Sequence, residues 1–109
     1  MSVHSEANHF TLKVAGIDRP EHVNHMHGFD LLLATADGKP VSGASIVVTG
    51  KRRFAPNPLP TSPKTFPRPD AGHYRVEGLR FHMLGDWHLD FAIESGQIRD
   101  RAAIDVVVK

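Results

Sequence analysis

A chain of 109 residues with 40% hydrophobic and 23% charged side chains has the composition of one ordinary globular domain with a single modest core. Thirteen Lys and Arg against twelve Asp and Glu leave a formal charge of +1, too weak a field to steer a polyanion, so nucleic acid is not an expected partner. The lack of cysteine removes disulfides, thiolate metal sites and thiol nucleophiles together.

Residues 1–8 show neither the basic nor the apolar region of a secretory signal and are expected to form a flexible N-terminal tail, with residues 9–109 as a single domain. No apolar run reaches membrane-spanning length. The first strand is predicted where Phe10, Leu12 and Val14 alternate with Thr11 and Lys13, so that one face is buried. A dense group of metal-ligand types follows in His22-Val-Asn-His25-Met26-His27. The second strand is expected over residues 27–35, with Phe29, Leu31 and Leu33 on one face, and Asp37-Gly-Lys-Pro40 is a turn. Ala44 to Thr49 is rich in β-branched residues and reads as the third strand.

From Lys51 to Gly72 the alternation stops, and prolines at 56, 58, 60, 63, 67 and 69 predict a long loop or at best an edge. Lys51, Arg52 and Arg53, followed by Phe54, make its start locally basic. Most such runs are solvated, and the alternative is a patch for an acidic partner or lipid headgroups. Beyond the loop, Tyr74 and Val76 alternate with His73 and Arg75, and Trp87, Leu89, Phe91 and Ile93 share a face opposite His88 and Asp90. Ile104, Val106 and Val108 close the domain, and residues 79–84 leave room for a seventh strand. Short strands at this spacing, with no sustained helical period, predict an all-β sandwich or barrel of about seven strands.

On an extended strand His25 and His27 point the same way with Cα atoms ~7 Å apart, a span that one metal ion can bridge. Met83 is the best candidate for a further ligand, with His22 and Met26 as auxiliaries, and a thioether among imidazoles favours Cu(I) over zinc. The competing reading makes His27 a strand-end histidine of the core and Met83 a gap-filling side chain. Enzyme templates find no match: there is no Gly-x-Ser-x-Gly, no His-Glu-x-x-His and no Gly-rich phosphate loop.

Three segments in order resemble the YtkA-like domain family of bacterial envelope proteins. They are Asn24-His-Met-His27-Gly-Phe29, the turn Ala36-Asp-Gly-Lys-Pro-Val-Ser-Gly-Ala44, and Leu59-Pro-Thr-Ser-Pro63 taken with Tyr74-Arg-Val-Glu-Gly78, Phe81-x-Met83-x-Gly85-x-Trp87 and the apolar alternation after it. The resemblance implies an immunoglobulin-like two-sheet antiparallel sandwich, a periplasmic or otherwise extracytoplasmic setting, and a non-enzymatic binding role linked with copper handling. The family's Met-Pro-x-His-x-His-Gly loop corresponds here to Gly50-Lys-Arg-Arg-Phe-Ala-Pro-Asn-Pro58, which holds neither Met nor His. Two expectations follow: a module binding copper or another transition metal through His25, His27 and Met83, or a protein-interaction and assembly module that uses the basic Pro-rich loop without metal.

Overall fold

The computed structural model describes residues 1–17, 23–54 and 57–108 and consists of strands without a helix. They are β1 Ser2–His4, β2 Phe10–Ala15, β3 Met26–Thr35, β4 Ser45–Arg52, β5 Lys64–Pro67, β6 His73–Arg80, β7 Gly85–Ser95 and β8 Ile98–Val108. A five-stranded sheet in the order β1-β2-β3-β6-β5 packs on a three-stranded sheet in the order β4-β7-β8, every pairing antiparallel. This is the expected two-sheet sandwich.

Local alternation decides which face each strand buries, and the registers join those faces into layers. Leu12 lies opposite Leu33, Val14 opposite Leu31, and Leu31 opposite Tyr74 in the larger sheet. In the smaller one Ile46 lies opposite Ile93, Val48 opposite Phe91, and Leu89 opposite Ile104. The two layers meet edge to face at Phe29 and Phe91, whose ring centroids are 6.2 Å apart, an arrangement the aromatic quadrupole favours. Trp87, Phe81 and Leu79 are fully buried beside them. Each such side chain contributes roughly 1.5–3 kcal/mol through the apolar area it removes from water.

Two segments differ from the sequence expectation. The proposed tail contains β1, which pairs with β2 through Val3 and Leu12, and its Met1 ammonium donates to the Val14 carbonyl. Within the Pro-rich stretch, residues 64–67 form β5 on β6. Prolines 63 and 67 bracket it, and an edge strand tolerates them because only one of its sides needs ladder donors. The strand considered for 79–84 is instead the end of β6, at Leu79 and Arg80, followed by the connection to β7.

One irregularity shapes the end of the sandwich. Phe29 pairs with Val76 and His27 with Leu79, so Gly28 alone opposes Glu77 and Gly78. The extra residue makes a bulge, and Gly78 takes the positive φ of 85° that it requires. The bulge restores the inward direction of Leu79 and so sets it opposite His27, which faces inward by its own alternation with Phe29.

A buried carboxylate closes the other end. Asp100, 8% exposed, accepts from the Ser5 hydroxyl and from the N–H groups of Ala7, His9 and Arg101. Burial, the largest single influence, pushes its pKa up, but the Ser5 hydroxyl and the backbone donors together outweigh it and hold it at about 2. The link fastens the β1–β2 turn of one sheet to β8 of the other.

Candidate functional site

The registers Met26 with Arg80 and Arg52 with Trp87 bring the start of β3, the end of β4 and the β6–β7 connection to one end of the sandwich. His25, Met26, His27 and Met83 therefore share that end with Arg52, Arg53 and Phe54. His22 lies outside the described residues.

Within this end the candidates have different surroundings. His25 is exposed just before β3, and Met26, 62% exposed, points outward with its methyl near Gly78. His27 is half-buried, its ring 6.3 Å from that of Phe81. Phe81 packs on Trp87 at 5.3 Å, and the Trp87 indole N–H donates to the Met83 carbonyl at 3.0 Å, which sets the turn that carries Met83. The Met83 sulfur accepts from the Arg52 guanidinium at 3.8 Å and lies against the core. Asn24, at a positive φ of 64°, donates its N–H to the Phe81 carbonyl and accepts from Arg80.

Among the described residues no group of three or more His, Asp or Glu side chains is arranged to hold a metal ion. The Met83 sulfur is engaged by Arg52, and His22 lies outside the described residues.

The basic tip is better organised. Arg53 donates its N–H to the Asp86 carbonyl, pairs with Asp105 at 3.5 Å, and holds its guanidinium 5.2 Å over the Phe54 ring. Phe54 itself is 79% exposed. A cleft of about 210 Å³ lies alongside, lined by Arg52, Phe54, Gly85 and Asp86, and the exposed Leu84 belongs to the same end. Lys51 sits on the outer face of the smaller sheet, opposite His88.

Two features were not visible in the sequence spacing. His88, on the face opposite Trp87, lies between Asp90 at 3.3 Å and Asp105 at 2.9 Å. Asp90 could be read from the alternation of β7, whereas Asp105 arrives from β8. His82 packs edge-on against Trp87 at 5.6 Å, and its buried Nδ1 makes no hydrogen bond among the described residues.

A family model described as YtkA-like matches residues 4–92. No curated protein matches. Among solved structures, the "ZirS C-terminal Domain" is similar at 15% sequence identity with a TM-score of 0.49, over 96% of this chain and 70% of that one.

Proposed function

The chain belongs to the YtkA-like family, and from that premise we propose that it is a non-enzymatic binding module of the bacterial envelope that captures a protein partner with the Arg52–Phe54 end of its sandwich. The observation that carries this reading is Phe54, a large aromatic side chain held in water by a guanidinium rather than folded onto the core. Exposed aromatic and Arg side chains beside a cleft are the residue types on which interface energy concentrates. The backbone bond from Arg53 to Asp86 and the ion pair to Asp105 hold the tip in place before binding, which lowers the ordering cost of association. Lys51 extends the cationic surface along β4.

Deleting residues 52–69 would remove β5 along with the tip, so a single substitution is the cleaner test. In-cell crosslinking followed by mass spectrometry should identify a partner on the wild-type chain. Phe54→Ser should then lower the affinity of the purified pair by about 30-fold, the equivalent of a ~2 kcal/mol hot spot. Equal affinity of the two chains would remove the tip from the reading.

A second reading has its own support, because the topology does bring His25, His27 and Met83 to one end. On it the chain carries copper as cargo, with Met26 and His22 as auxiliary ligands. Anaerobic Cu(I) titration against a chromophoric chelator tests it. The reading expects binding tighter than micromolar that weakens at least tenfold in His27→Ala, and indifference to that substitution would end it.

A further inference from the structure

The tip that carries Phe54 is not a free loop. Arg52 donates its N–H to the Asn57 carbonyl at 2.9 Å, Leu59 donates to the Gly50 carbonyl at 3.0 Å, and Lys51 stands opposite Pro58 between these two bonds. Residues 50–52 and 57–59 are therefore the two arms of a short antiparallel ribbon, and Arg53 and Phe54 lie in the connection between them. Pro58 removes no bond from it, because it occupies the non-hydrogen-bonded pair of the ladder.

The second arm has a seat on the smaller sheet. On β4, Ile46 and Val48 fill the inner face, and Gly50, next in that alternation, has no side chain to offer. A Cβ at Gly50 would stand 2.9 Å from Leu59 Cδ1 and 2.6 Å from Leu89 Cδ2, so the half-buried Leu59 side chain already occupies the place of the missing one, packed against the core. Gly50 is not among the glycines at positive φ, so the close approach of Leu59, rather than a turn, accounts for glycine here. Two residues further on, the Thr61 hydroxyl donates to the Gly78 carbonyl at 2.6 Å, on β6 of the larger sheet. The segment thus crosses from one sheet to the other with Leu59 as its apolar anchor. A cleft of about 290 Å³ lies between it and β4, lined by residues 47–50 and by Pro58, Leu59, Thr61, Ser62 and Pro63, so the fit at Leu59 is not continued along the strand.

We propose, on the reading of this tip as a partner-binding surface, that Leu59 is its positioning residue: seated on Gly50, it fixes the second arm of the ribbon and so holds ready the turn that presents Phe54. Leu59 touches no partner in this role and acts through the ribbon alone. That gives it a kinetic signature. With the arm loose, the tip is ready in only a fraction of molecules, and the apparent affinity falls by that fraction. The deficit then lies in association, because the bound contacts are unchanged. Loss of a contact such as Phe54 instead hastens dissociation.

Two substitutions unseat the side chain from opposite sides. Leu59→Ala removes it, and Gly50→Ala fills its seat with a methyl group. Both should quicken amide hydrogen exchange at Arg52 and Leu59 about tenfold, with Leu33, whose N–H is bonded to the Gly72 carbonyl in the larger sheet, unchanged. Leu59→Met nearly conserves the volume and refills the seat, so it should restore wild-type exchange. Against the purified partner identified by crosslinking, Leu59→Ala should associate about tenfold more slowly with an unaltered dissociation rate, and Leu59→Met should match the wild type. Unchanged exchange at Arg52 and Leu59, an equal rise at Leu33, or wild-type association of Leu59→Ala would each overturn the proposal. Full affinity in Phe54→Ser would remove the tip reading, and the proposal with it, whatever the exchange rates show.

Discussion

Replacing Asp100 by asparagine is expected to lower stability by about 2 kcal/mol at neutral pH, the linkage value of a carboxyl held at about 2 rather than at its ordinary 3.8. The charge-assisted bonds from Ser5, Ala7, His9 and Arg101 converge on two oxygens, and the amide offers only one acceptor in their place. Chemical denaturation gives the loss directly, and the melting temperature should fall by roughly 10 °C. The pH dependence has a definite sign. Between 3.8 and about 2 the unfolded chain binds the proton and the folded chain does not, so the stabilisation is fully present above this window and is lost as pH falls through it. Asp100→Asn should lack that part of the acid limb. A variant whose acid transition overlays the wild type would mean that the carboxylate does not fasten the two sheets.

The largest single loss is expected at Trp87. Truncation to alanine removes a fully buried indole and should cost about 3–5 kcal/mol, enough to unfold a marginal domain of this size. The effect reaches the site as well as the core, because the same ring packs on Phe81 and His82 and its N–H holds the Met83 carbonyl. Trp87→Phe separates the two roles. It keeps most of the apolar contact but leaves the Met83 carbonyl without its donor, at a cost of roughly 1–2 kcal/mol. Hydrogen exchange in that variant should quicken at residues 82–86 ahead of the rest of β7. Uniform exchange across β7 would show that the indole bond does not order the turn.

The same residues show how far the sequence could be read. Phe29, Leu31 and Leu33, or Trp87, Leu89, Phe91 and Ile93, identify strand and buried face together, because opposite sides of an extended chain follow from covalent geometry within a few residues. The motifs around Asn24, Leu59 and Tyr74 identified the family in the same local way. The prolines of residues 56–69 correctly marked a break in the ladder. They hid β5, however, since a proline count cannot tell a loop from a strand that needs partners on one side only.

The site was legible as a list of side chains and not as an arrangement. That His27 and Met83 would share an end followed from topology, but the bond from Arg52 to the Met83 sulfur depends on how β4 meets β7. The bulge at Gly78 that brings Leu79 opposite His27 likewise needs the register of β6 on β3.

By itself, then, the sequence determined the all-β class, the family, the residues of the core and the absence of thiol chemistry, since each rests on neighbours along the chain. Only the tertiary structure decided that residues 2–4 pair as a strand, that Asp100 gathers the β1–β2 turn, and that Asp86 and Asp105 hold Arg53 at the tip. Each of these joins residues far apart in sequence. Their meeting is fixed by the packing of two sheets, which the spacing of residues within any one strand does not record.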